Sequence, residues 1–125
     1  MFSLKRLINS FRFAFRGFKI IFQEEQSFII QLAAGLFVFF LMFYLEMTSL
    51  ERAVLVIVIS LILTLEIINT AVERILDVIE PNYNEKIGKI KDLISTAVLC
   101  VSLSSVVIAY LIVLPPLFRV LGKFW

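Results

Sequence analysis

The side chains best suited to chemistry in this 125-residue chain recur at the period of a helix. Glu66, Asn69, Glu73, Asp77 and Glu80 fall at offsets 0, 3, 7, 11 and 14. At about 100° per residue these five, together with Thr70, share one face about 100° wide. Leu, Ile and Val fill most of the other face. Acidic groups gathered in this number repel one another unless cations neutralise them. Two further sets lie nearby in the pattern: Glu24–Glu25, and Lys91–Asp92 with Ser95 one turn on. Together they offer carboxylates for a divalent metal, a Lys for phosphate and a deep carboxylate to accept a proton. Hard oxygen ligands of this kind suit Mg²⁺ bridged by substrate phosphates. The combination points to phosphoryl transfer, in which positioning and charge neutralisation supply most of the catalysis. There is no His and only one Cys, Cys100, so no disulfide or Cys-based metal site can form. Acid–base chemistry falls to carboxylates, Lys or Tyr.

The elements that must position these groups are apolar helices. With 61 % hydrophobic and 18 % charged residues the chain is too apolar for an ordinary soluble domain of its size. Phe28–Leu45 is uncharged, with Gln31 as its main polar interruption, and Leu93–Phe118 is charge-free. Ala53–Leu65 is uncharged for only 13 residues. At about 1.5 Å per residue that reaches about 20 Å of a hydrocarbon core about 30 Å thick, so the second span must continue through Glu66. The expected architecture is all-α and integral to the membrane: an amphipathic surface helix over 4–22, then membrane helices over 28–45, 53–76 and 93–114, in one domain covering 1–125. Pro115–Pro116 is expected to end the last helix.

Nine of the twelve Lys and Arg residues lie before the first span or between the second and third, against Arg52, Arg119 and Lys123 elsewhere. The positive-inside rule makes the nine-residue side cytoplasmic, with the N-terminus inside. Over 4–22, Lys5, Asn9, Arg12, Arg16 and Lys19 line one side, while Leu4, Leu7, Phe11, Phe15 and Phe18 occupy much of the remainder. Such a helix lies in the headgroup layer, either as a topology anchor or as part of a site for an anionic substrate. Asp77–Ile90 reads as the one long polar connection, turning at Pro81-Asn82-Tyr83-Asn84.

Depth separates the acids. Glu66 is expected about 10 Å inside the boundary, with Glu73 near it and Asp77 beyond it. A charge at mid-membrane costs about 2.5–3.5 kcal/mol on insertion scales. Nothing structural requires Glu66 at that depth. Glu24, Glu80 and Glu85 read more simply as solvated charges, and Asp77 equally as a helix-end residue paired with a Lys. A face running from the acyl–headgroup border into water suits a reaction between a lipid and a soluble reagent. The competing reading is a transport or channel subunit using the stripe for cations, but beyond Glu66 only Ser60 and Thr64 are polar, back to Ala53.

The stretch Glu66-Ile-Ile-Asn69-Thr70-Ala71-Val72-Glu73-Arg-Ile-Leu-Asp77 closely resembles the signature of the prokaryotic diacylglycerol kinase family, Glu-x-x-Asn-Ser/Thr-Ala/Ser-aliphatic-Glu-x-x-x-Asp. Lys91-Asp92, Ser95 and Ala97-Val98-Leu99 resemble its second motif patch, and Arg16-Gly17 and Glu25 with Phe28 fall at matching spacings. The resemblance covers nearly the whole chain. It implies that Glu66 accepts the proton of a lipid hydroxyl, supported by Asn69, and that Glu25 and Glu73 hold Mg²⁺ with ATP. It further implies nucleotide contacts from Arg6, Asn82, Tyr83, Asn84, Lys91 and Asp92, and a place near the lipid for Ser95. Members are homotrimers of three-span subunits with a surface helix, working in the bacterial cytoplasmic membrane on diacylglycerol or undecaprenol, with no nucleic-acid partner. The turn at 82–84 is unlike that of the diacylglycerol-specific members, and the Gly-Lys-Ile-Lys-Asp run and Pro115-Pro116 are somewhat closer to the undecaprenol kinase branch. Like the family, the sequence has neither a P-loop nor protein-kinase motifs.

Overall fold

The computed structural model describes residues 1–82 and 84–124, which form four helices and no strand. They are α1 (Leu4–Glu24), α2 (Gln26–Tyr44), α3 (Ser49–Ile79) and α4 (Glu85–Gly122). The last three are long and apolar enough to cross a membrane. At about 1.5 Å per residue α3 and α4 run to roughly 46 and 57 Å, well beyond a hydrocarbon core of about 30 Å. Their polar ends therefore extend past the apolar layer, and the acidic half of α3 is one of those ends.

Helix α1 opens on Ser3, whose hydroxyl accepts from the Arg6 amide at 3.5 Å. It stops at Glu25, whose extended backbone (φ −120°, ψ 103°) closes α1 and begins α2. One residue thus redirects the chain from the amphipathic helix into the first apolar one. The corner is held by Phe22 and Phe28, whose rings meet edge to face at 5.7 Å. Phe28 is fully enclosed, whereas Phe11, Phe13, Phe15 and Phe18 along α1 remain exposed.

The hairpin between α2 and α3 is short. Thr48 caps α3 by accepting from the Glu51 amide at 3.2 Å. Arg52 then reaches back, its Nε donating to the Met42 carbonyl (3.0 Å) and its Nη2 to that of Leu45 (3.2 Å). These are C-terminal carbonyls of α2 that lack helical partners. Met42, Leu45, Leu55 and Val113 form the small core beside this clamp. Arg52→Ala is expected to lower stability by about 1–2 kcal/mol, because hydrogen bonds to a charged donor are lost at half-buried carbonyls. Arg52→Lys should recover little of this, since an ammonium lacks the planar fork. Denaturation of the detergent-solubilised protein followed by circular dichroism would show it; a wild-type midpoint in Arg52→Ala would mean the clamp is idle.

Midway along the hairpin, a Cβ built on Gly35 would lie 2.9 Å from Cγ2 of Ile59. Glycine is needed for so close an approach, and the contact sets the register of α2 on α3.

Two expectations fail in α4. The polar stretch before Leu93 is helical from Glu85, leaving only 80–84 as the connection between α3 and α4. Asn84 caps it, accepting from the Lys86 amide at 2.9 Å, and Glu85 and Lys89 pair at 3.7 Å one turn apart. At the other end Pro115 and Pro116 do not stop the helix, which continues to Gly122. Each lacks the N–H that would bond to the carbonyl four residues back, and tertiary packing overrides that loss. Pro116 and Val113 are buried, and Leu117 and Val120 pack on the Met42–Leu45–Leu55 cluster. The helical path keeps both on that core.

Candidate active site

The face of α3 that carries the acids turns toward α2 at its deep end. Glu66 is only 6 % exposed and Thr70 7 %, the two buried polar residues among the described ones. A carboxylate removed from water needs compensating donors. Gln31 Nε2 donates to Glu66 Oε1 at 2.9 Å, and Ser27 Oγ donates to Oε2 at 3.4 Å. The Thr70 hydroxyl turns back to the Glu66 carbonyl at 3.0 Å. Both carboxylate oxygens thus have a hydrogen-bond partner on α2. Ser27 and Gln31 stand one turn apart on α2 and so face α3 together. Sequence reasoning met Gln31 only as a polar interruption and missed Ser27. The available signal was a lone amide within an apolar span, preceded by a hydroxyl at i−4.

One turn toward the polar end, Asn69 Nδ2 donates to Glu73 Oε1 at 3.4 Å. Asn69 Oδ1 is buried without any hydrogen-bond partner. An unpaired buried acceptor costs about 1–3 kcal/mol. Asn69 lies between Glu66 and Glu73 along α3.

Glu24, expected as a solvated charge, is exposed and also makes an ion pair with Arg74. Glu24 adjoins Glu25 and Arg74 adjoins Glu73, so the pair ties the α1–α2 corner to α3 beside both of the expected metal-binding carboxylates. Among the described residues no three Asp, Glu or Cys side chains converge into a closed metal cage.

Further out, Lys91 Nζ meets Asp77 Oδ1 at 2.8 Å, joining α4 to α3. Asp77 is therefore the Lys-paired residue that one of its two expected readings required. A cavity of about 190 Å³ sits at this end, lined by Asp77, Glu80, Asn82, Gly88 and Lys91 among others. It brings together two of the residues expected near a nucleotide, Asn82 and Lys91. Asn84 is engaged in capping α4, and Tyr83 lies outside the described residues. Arg6, Asp92 and Ser95 are exposed, and no hydrogen bond or ion pair among the described residues joins their side chains to Glu66 or Glu73.

The arrangement is graded: a buried, hydrogen-bonded carboxylate, then an unpaired amide oxygen, then carboxylates and a Lys reaching an open polar cleft. The family model described as prokaryotic diacylglycerol kinase matches residues 12–113. The chain is 31 % identical over 112 residues to a diacylglycerol kinase of Synechocystis, covering 89 % of this chain and 64 % of that protein's length. It is 28 % identical over 102 residues to the diacylglycerol kinase of Escherichia coli, covering 82 % of this chain and 84 % of that protein. It is also 31 % identical over 114 residues to the undecaprenol kinase of Bacillus subtilis, covering 91 % and 93 %.

Proposed function

This chain belongs to the prokaryotic diacylglycerol kinase family, and from that premise we propose that it moves the γ-phosphoryl group of ATP to the hydroxyl of a membrane lipid alcohol. The observation that carries this reading is Glu66: buried, accepting on both oxygens, and followed along the helix by the unpaired Asn69 Oδ1. In the proposed reaction the lipid hydroxyl oxygen attacks the γ-phosphorus as its proton passes to Glu66. The bond from that phosphorus to the β–γ bridging oxygen breaks, and ADP leaves. Gln31 and Ser27 hold the carboxylate still, which matters because a base must lie within hydrogen-bond reach of the proton it takes. Asn69 Nδ2, which donates to Glu73 Oε1, would hold that carboxylate in place.

Mg²⁺ characteristically uses one or two protein carboxylates and completes its shell with phosphate oxygens and water. Glu25 and Glu73, next in sequence to the paired Glu24 and Arg74, match that requirement in number and type and would hold the ion. When bound, the ion neutralises charge on the transferring phosphoryl group. Lys91, with Asn82, lines the cleft proposed for the polyphosphate, and the Lys91–Asp77 pair fixes the ammonium there. Arg6, Tyr83, Asn84, Asp92 and Ser95 keep their proposed nucleotide-side or lipid-side roles by family resemblance. By the same resemblance the chain would work as a homotrimer whose sites lie between subunits. The distribution of Lys and Arg supports a bacterial cytoplasmic membrane with the N-terminus inside. The apolar lining beyond Glu66 offers an ion no ladder of polar groups, which favours this reading over a cation path.

The test is transfer of label from γ-labelled ATP, with Mg²⁺, to diacylglycerol and to undecaprenol presented side by side to the purified protein in vesicles. Labelled phosphatidic acid or undecaprenyl phosphate is the expected product, and the more efficiently used lipid identifies the substrate. Ion flux without phosphorylation of either lipid would reject the proposal.

A further inference from the structure

Two ties hold the α1–α2 corner to α3, and the two candidate metal ligands fall between them in sequence. The deeper tie is on α2, where Ser27 and Gln31 donate to Glu66 at 3.4 and 2.9 Å. The outer tie is on α1, where Glu24 makes its ion pair with Arg74. Glu25 falls between Glu24 and Ser27, and Glu73 between Glu66 and Arg74. Among the described residues the Glu24–Arg74 pair is the one polar link from α1 to α3, and α1 buries a single residue, Ile21. The Phe22–Phe28 contact joins α1 to α2 only. Glu25 itself is engaged through its backbone, the amide donating to the Ile21 carbonyl at 3.0 Å and the carbonyl accepting from the Ile29 amide at 3.4 Å. No hydrogen bond or ion pair among the described residues holds its carboxylate. That carboxylate therefore goes where the joint between α1 and α2 carries it, and the two ties fix the joint.

We propose that Glu24 and Arg74 are positioning residues for the metal site, their ion pair acting as a strut that fixes Glu25 relative to Glu73. The inference rests on the reading that Glu25 and Glu73 hold Mg²⁺ with the nucleotide, and adds to it the contact that sets their separation. Charge supports the assignment. Glu24, Glu25 and Glu73 are three acids beside one base, and the ion pair takes up Arg74 with Glu24. Two carboxylates are left, the number that Mg²⁺ characteristically uses. Both members of the pair are about half exposed, so its contribution to overall stability is small. Its effect is local, because groups that orient metal ligands are worth about 10–100-fold in metal affinity.

The experiment uses the full chain in detergent–phosphatidylcholine micelles as the native protein, Arg74→Gln, Glu24→Gln and the double variant. Mn²⁺ binding is measured by equilibrium dialysis with a non-hydrolysable ATP analogue on both sides. No turnover is needed, so the result stands apart from whether either lipid is phosphorylated. Each single variant is expected to weaken Mn²⁺ binding about tenfold and to raise the half-saturating Mg²⁺ in the kinase assay about tenfold, with kcat near native once Mg²⁺ saturates. The double variant should lose no more than either single, because both remove the same contact. Denaturation midpoints close to native are expected throughout. Net charge acting alone gives a different pattern: loss of Arg74 would tighten cation binding and loss of Glu24 would loosen it. Opposite shifts, additive losses or native Mn²⁺ binding in the single variants would overturn the proposal. Glu73→Gln separates the two readings. If it leaves Mn²⁺ binding unchanged, the metal assignment fails and the strut with it. If it weakens binding while Arg74→Gln and Glu24→Gln do not, the strut alone fails.

Discussion

Glu66→Gln is expected to lower the rate of lipid phosphorylation by about 10²–10⁴-fold, the usual contribution of a positioned general base. The substitution is nearly isosteric, so the change is chemical. A glutamine carbonyl can still accept from Gln31 Nε2, which is 2.9 Å from Oε1 in the native chain, so α2 and α3 keep their link. The second oxygen becomes an NH₂ that can neither accept from Ser27 nor take a proton from a hydroxyl. Initial rates with γ-labelled ATP at saturating lipid and nucleotide measure the effect, and the loss should fall on kcat with the KM for ATP little altered. Wild-type turnover in Glu66→Gln would remove this residue from its assigned role. Removing the charge also removes the cost of burying it, so the variant should be at least as resistant to denaturation as the native protein, which separates a catalytic defect from a folding one.

Glu73→Gln carries the second largest expectation. If Glu73 holds Mg²⁺ with the nucleotide, loss of one of two anionic ligands should raise the Mg²⁺ concentration for half-maximal activity at least tenfold, and lower kcat/KM on the order of 10²-fold at fixed Mg²⁺. The geometry makes this a clean substitution. Asn69 Nδ2 donates to Glu73 Oε1 at 3.4 Å, and an amide oxygen in the same place can accept that bond. The neighbouring Arg74–Glu24 pair is untouched, so the α1–α2 corner should stay tied to α3. Titration of activity with Mg²⁺ at constant ATP distinguishes the two residues: Glu66→Gln should keep the native Mg²⁺ dependence, and Glu73→Gln should shift it. An unshifted titration in Glu73→Gln would place the metal elsewhere.

What the sequence determined by itself is local and periodic. The lengths of the apolar runs, and the failure of Ala53–Leu65 to span a bilayer unaided, required a helix that takes Glu66 with it, and α3 is continuous through that residue. The 3.6-residue period placed Glu66, Asn69, Thr70 and Glu73 on one face before any neighbour was known. Tertiary structure decided which members of that face are buried and what they touch. Ser27 and Gln31 lie 39 and 35 residues from Glu66, and no spacing rule pairs them; the register of α2 on α3, set by the close approach at Gly35 and Ile59, brings them to the carboxylate. The same holds for Glu24, a solvated charge by composition and an ion-pair partner of Arg74 once α1 turns at Glu25. It holds also for α4, where local rules end the helix at Pro115 and packing of Pro116, Leu117 and Val120 against the hairpin carries it to Gly122.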